Sequence, residues 1–182
     1  QAIDSSDRFE YEIAAYRLDR LLGLDMIPVT VPRTIAGREG ILQFWVDDSI
    51  NLRTMLERKL QPGGWCEPEP QYNLMNVFDV LVHNTDRTQE NALFTSDWML
   101  VLIDHSLAFR THQRRPRLLY LGELQLSASL AERLAALDAA QLQQVLGPWL
   151  QQRQIEALLK RRDLLLREHR ARTDAALRAT GS

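Results

Sequence analysis

The chain has 182 residues, 45% of them apolar and 25% charged, with a formal net charge of −2. That length suits one domain, or one complete lobe and part of another, with a sizeable core, and the near-neutral balance argues against nucleic acid or a membrane surface as a general partner. A single cysteine, Cys66, excludes an internal disulfide and fits a reducing, cytoplasmic compartment. No apolar run approaches the roughly 20 residues a transmembrane helix needs, and no basic-then-apolar leader opens the sequence.

Asp7-Arg8-Phe9-Glu10 reads as a capping box. Phe9, Ile13, Tyr16 and Leu21, with Ala14, Leu18 and Leu22, then predict a broad-faced amphipathic helix that Gly23 stops. Met26 to Thr34 is β-rich, and Pro28 and Pro32 mark it as an edge strand or extended segment. Gly37 and Gly40 bracket a hairpin-like turn, with Ile41 to Val46 as the following strand and Phe44 and Trp45 expected in the core.

Asn51 to Leu60 reads as a short amphipathic helix. Gln61-Pro62-Gly63-Gly64 breaks it, and Glu67-Pro68-Glu69-Pro70 keeps the chain irregular, with Trp65 and Cys66 packing the loop down. From about Gln71, Leu74, Val77, Phe78, Leu81 and Val82 recur at helical spacing up to His83. Beyond Phe109 the chain is basic (Arg110, Arg114, Arg115, Arg117) and then helical. Ser129-Leu130-Ala131-Glu132 reads as a capping box, Asp138 to Leu146 as a second helix and Gln151 to about Ala176 as a third. On the last, Ile155, Leu158, Leu159, Leu165 and Leu166 point inward and Lys160-Arg161-Arg162-Asp163 is expected to face solvent.

The chemistry concentrates between Val82 and Phe109. Asp86 and Asn91 stand five residues apart, and Asp104, eighteen beyond Asp86, ends the apolar run Met99 to Ile103. A protein kinase has this layout: a loop Asp accepts the acceptor's hydroxyl proton, and an Asn and a second Asp hold magnesium. Magnesium wants oxygen ligands, which an amide and a carboxylate supply. The histidines do not compete for this role. His83, His105 and His112 lack Cys or His partners at zinc-ligand spacing, and His105 is expected to shape the turn after Asp104.

His83-Asn84-Thr85-Asp86-Arg87, Asn91 and Ile103-Asp104-His105-Ser106-Leu107-Ala108-Phe109 resemble the catalytic region of type II phosphatidylinositol 4-kinases. Glu12-Ile13-Ala14-Ala15-Tyr16-Arg17-Leu18-Asp19-Arg20 resembles the regulatory helix of the Golgi casein kinase (secretory-pathway kinase) family, which has a near-identical NxDR loop. The resemblance covers roughly residues 5 to 109 and suggests a bacterial relative of these atypical kinases. Two departures stand out: Asn91 replaces an acidic residue of the Golgi casein kinases, and the cysteine-rich lipidation motif of the type II lipid kinases is missing.

The resemblance implies an α+β, protein-kinase-like fold, with residues 1–46 as the remnant of an N-lobe and 47–182 as a helical C-lobe. It implies Asp86 as catalytic base with Arg87 beside it, and Asn91 and Asp104 as ligands of Mg2+ or Mn2+. Gln43, Phe44, Trp45 and Val46 would form the hinge that binds the adenine of ATP, with Leu93 and Ile103 also at the nucleotide. Glu12 would pair with a strand lysine. Only Lys59 and Lys160 are lysines, and neither precedes Glu12, so the sequence is expected to start after the first N-lobe strands or to lack them. The acceptor is a hydroxyl of a lipid, protein or glycan, anionic if Arg110, Arg114, Arg115 and Arg117 serve it. The rival expectation is a nucleotide-binding pseudokinase or interaction module without the phosphate-binding lysine and glycine-rich loop.

Overall fold

The computed structural model describes residues 7–116 and 123–180. Helix α1 (Phe9–Leu22) buries Ile13, Ala14, Ala15, Leu18 and Leu22 and ends at Gly23, whose φ of 58° lets its N–H reach the Arg20 carbonyl. Its start differs from the capping box in the sequence. Arg8 is the cap residue and has no capping side chain; it pairs with Glu10 at 2.9 Å instead.

Strands β1 (Thr30–Ile35) and β2 (Arg38–Gln43) form an antiparallel hairpin closed by Ala36 and Gly37, both at positive φ. Two such residues suit the tight turn that matches strand twist. The turn therefore falls before Gly40, which pairs with Arg33 inside the ladder. The strand stops at Gln43, so Phe44 and Trp45 lie outside it, 67% and 80% exposed rather than in the core. Helix α1 lies against the paired strands, and past their end the two side chains stay in water.

Strand β3 (Ile50–Asn51) leads into α2 (Leu52–Glu57), which Asn51 caps by accepting from the Thr54 N–H at 2.8 Å. This helix is shorter than the predicted span. The following segment leaves Trp65 82% exposed, so the tryptophan does not pack that loop. Helix α3 (Pro68–Val82) begins where an irregular stretch was expected. Pro68 stands at its first position, where the missing N–H costs nothing. It buries Val77, Phe78, Val80, Leu81 and Val82, each worth roughly 1.5–3 kcal/mol when fully withdrawn from water.

Strands β4 (Ala92–Phe94) and β5 (Leu100–Leu102) complete an antiparallel sheet in the order β3-β4-β5. Ala92, Phe94, Leu100 and Leu102 are buried, whereas Leu93 and its partner Val101 face away from the core, half-exposed. Three backbone hydrogen bonds lock these parts together. Leu102 N donates to Met26 O at 2.8 Å, Arg8 N to Ser106 O at 3.0 Å and Phe109 N to Val82 O at 2.6 Å.

Helices α4 (Ala128–Ala136), α5 (Ala139–Leu146) and α6 (Gln152–Thr180) close the core, with α6 lying against α3, α4 and α5. Ser127, not Ser129, caps α4, accepting from Leu130 N at 3.2 Å, and Asp138 caps α5. Arg161 corrects the expected solvent-facing charge run: it is fully buried. It shares the inward stripe with Gln154, Leu158 and Leu165 at helical spacing, so the helix register carries its guanidinium inside. There Nε donates to Leu81 O at 2.8 Å, and Nη1 to the carbonyls of Arg110 (3.0 Å) and His112 (2.5 Å). The segment after Phe109 is thereby pinned to α6. No helix among the described residues is long and apolar enough to cross a membrane.

Candidate active site

Helix α3 ends at His83, which takes the left-handed conformation (φ 54°, ψ 49°) usually given to glycine. Asn84 then turns back on the helix. Its backbone N–H donates to Asp79 O at 2.8 Å and its side-chain amide to Asp79 Oδ1 at 3.1 Å. Asn84 Oδ1 in turn accepts from Asp86 N at 3.0 Å, an Asx-type turn that leaves the Asp86 side chain in solvent.

Arg87 is the hub of the loop. Nε and Nη2 grip the two oxygens of buried Asp79 at 2.9 Å each, and Nη1 donates to Asn91 O at 2.9 Å and Ile103 O at 2.7 Å. Nη2 also meets His105 Nε2 at 2.9 Å. All five guanidinium N–H groups are engaged, and the side chain is only 8% exposed. Arg87 thus pairs with a carboxylate, and its N–H groups are taken up inside the protein.

Asn91 and Asp104 meet. Asn91 Nδ2 donates to Asp104 Oδ2 at 3.1 Å, and Ser106 Oγ donates to Asp104 Oδ1 at 3.0 Å. Asp104 is exposed and sits at φ 59°, a conformation that costs a non-glycine residue of order 1–3 kcal/mol and gathers at functional sites. The donor set suits a hard divalent cation. With the Asn91 amide turned over, its oxygen stands beside the carboxylate, leaving water and phosphate oxygens to fill the other positions. No group of three or more His, Cys, Asp or Glu that could hold a metal occurs among the described residues; the oxygen donors gathered at Asp104 are those of Asn91 and Ser106.

Glu12 enters the same site from α1. It is buried, and its Oε1 accepts from the His105 backbone N–H at 2.5 Å, with Oε2 3.6 Å from His105 Nδ1. The observed partner of Glu12 is thus His105; Lys59 and Lys160 are both exposed. Ile103 follows Leu93 and Val101 on the outward face of the small sheet, its N–H on Asn91 O at 3.1 Å. Contacts of the proposed hinge are local: Gln43 Nε2 donates to Thr30 Oγ1, Phe44 N to Val29 O, and Val46 O accepts from Ser49 Oγ. Glu12, Arg87, Asn91, Ile103 and Asp104 therefore converge, while Gln43, Phe44, Trp45 and Val46 belong to the hairpin's end.

Past Phe109, Arg114 is exposed and Arg115 lies 3.9 Å from Glu168; Arg117 falls outside the described residues. Asp79 was missed by sequence reading. Its signal was available: a carboxylate inside the apolar run Val77-Phe78-Asp79-Val80-Leu81 is buried only with a partner.

No protein-family model matches this sequence, and no curated protein matches it. Among solved structures, that of hydra Fam20 with sugar superposes with a TM-score of 0.66 at 16% sequence identity, over 94% of this chain and 73% of the other. The chain has a Fam20-like, atypical kinase fold. Of the two families the sequence resembles, this likeness falls on the Golgi casein kinase side.

The surroundings of His83 carry a pH dependence. Burial first, then the Arg161 and His112 charges, pulls its imidazole down to about 4, and its ring stacks on His112 at 5.2 Å. The unfolded chain therefore binds an extra proton between about pH 6.5 and 4, and stability falls as pH drops through that window. Asp19, pushed up to about 6 chiefly by burial, acts in the opposite sense over the lower part of the range. His83→Asn, whose side chain tolerates the left-handed backbone, is expected to gain on the parent chain as pH falls from about 7 to about 5 in urea melts. A stability difference independent of pH contradicts this.

Proposed function

We propose that the protein is an ATP- and divalent-cation-dependent phosphotransferase acting on a hydroxyl acceptor. The observation that carries this reading is the 3.1 Å approach of Asn91 to Asp104, two oxygen-bearing groups brought together at the end of a strand pair beside the Asp86 loop. Asn91 and Asp104 would hold a magnesium or manganese ion, which would supply neutralisation of the charge on the nucleotide phosphates. Asp86, exposed at the loop tip, accepts the proton of the attacking hydroxyl.

The half-exposed apolar face of Leu93 and Ile103, with Val101 between them, supports the adenine ring; Gln43 to Val46, whose observed contacts are local to the hairpin's end, would serve as a hinge only by contact with the bound nucleotide. Residues 1–46 then act as the N-lobe portion and 47–182 as the helical lobe. Glycan hydroxyls are the acceptors to assay first, because the hydra Fam20 structure holds sugar; protein and lipid hydroxyls follow. Exposed Arg114 offers a guanidinium to an anionic acceptor.

Asp86→Asn tests the assignment. Removing a general base lowers turnover by about 10²–10⁴, while calorimetry is expected to show unchanged affinity for ATP with Mg2+, since Asp86 holds neither. A parallel loss of nucleotide affinity contradicts the role given to Asp86. A wild-type protein that binds nucleotide yet transfers no phosphoryl group to any acceptor or to water is a binding module instead.

A further inference from the structure

We propose that His105 is a positioning residue for Asp104, tying that carboxylate to α1 on one side and to Arg87 on the other. Its functional meaning rests on the phosphotransfer reading; its geometry does not. The imidazole is fully buried directly after the exposed, left-handed Asp104. Its Nε2 lies 2.9 Å from Arg87 Nη2. A guanidinium can only donate, so Nε2 accepts and the ring proton sits on Nδ1, the nitrogen that faces Glu12 Oε2 at 3.6 Å.

The backbone N–H of the same residue donates to Glu12 Oε1 at 2.5 Å, so both oxygens of Glu12 address His105. Its ring also stands edge-on to Phe78 of α3, with centroids 5.9 Å apart. Helix α1, helix α3 and the Arg87 hub therefore all fix the residue next to Asp104. A phenylalanine here could fill the space but would give Arg87 no acceptor and would remove the ring nitrogen that faces Glu12 Oε2 at 3.6 Å. Glu12, His105, Arg87 and Asp79 form one buried chain across the molecule, and the Asn91–Asp104 separation depends on it.

The test reads Asp104 through its neighbour, by ¹⁵N NMR of the cation-free protein on the Asn91 side-chain amide. His105→Phe is expected to shift those signals toward a free amide. His105→Gln, whose amide oxygen can stand in for Nε2 as the acceptor of Arg87, is expected to keep them near wild type. Unmoved Asn91 signals in a folded His105→Phe overturn the proposal. Should that variant not fold, Glu12→Ala, which removes the acceptor of the His105 N–H, is read in the same way.

In the transfer assay His105→Phe is expected to raise the Mg2+ concentration for half-maximal rate about tenfold, as loss of a group supporting a metal ligand does, with kcat at saturating Mg2+ nearly retained. A fall in kcat at an unchanged Mg2+ requirement overturns it. If the wild type transfers nothing, the phosphotransfer reading fails and the NMR comparison still decides the role of His105.

Discussion

Asp104→Ala is expected to abolish cation-dependent ATP turnover by the full-length protein, a loss of a hundredfold or more. Phosphoryl transfer asks a protein chiefly for positioning and for neutralising charge on the phosphate oxygens, and deleting one preorganised electrostatic group in such a site costs about 10²–10³ in rate. The substitution removes the only carboxylate within hydrogen-bond reach of Asn91 in the described contacts. Alanine inherits the left-handed backbone at φ 59°, so the substitution relieves no strain there. Because Asp104 is exposed, the melting temperature is expected to change little. Calorimetry with Mn2+ and ATP should show cation affinity lost together with turnover. Full turnover in the variant would remove Asp104 from the chemistry.

The largest effect on stability is expected from Asp79→Ala. Asp79 is completely buried and accepts from Arg87 Nε and Nη2 and from Asn84 Nδ2. Removing it strands a guanidinium that is only 8% exposed, and breaking a buried ion pair from one side costs about 3–5 kcal/mol. At roughly 2–4 °C per kcal/mol for a chain of this size, the melting temperature is expected to fall by about 10 °C. The paired substitution Asp79→Leu with Arg87→Met separates fold from function. It removes both charges together, so much of the stability is expected to return. Turnover is not expected to return, because Arg87 also holds Asn91 O and Ile103 O. A single Asp79→Ala variant that melts like the wild type would contradict this account of Arg87.

Much of this arrangement was legible beforehand. The helices through Ile13 and Leu18, Val77 and Phe78, and Leu158 and Leu165 follow from apolar spacing, because a helix presents one face to its core regardless of what covers it. The apolar run Met99 to Ile103 leading into Asp104 holds strand β5, while its partner β4, which ends the loop of Asp86 and Asn91, has no comparable apolar run. Two helix starts differ by two or three residues, α3 at Pro68 instead of Gln71 and the α4 cap at Ser127 instead of Ser129, because several Ser, Glu and Pro residues close together offer competing starts and only the packed geometry selects one.

Sequence alone determined which groups can do chemistry here, because carboxylate, amide and guanidinium are local properties of residue type and their spacing sets which loop carries them. Tertiary structure decided what each group faces. The sequence reads Arg161 as solvent-facing and does not say what Glu12, Asp79 and Arg87 pack against, yet all four are buried or nearly so, since the price of desolvation depends on a partner supplied from elsewhere in the chain. His105 lies 93 residues from Glu12 and 18 from Arg87; contacts at those separations exist only once the helices have packed.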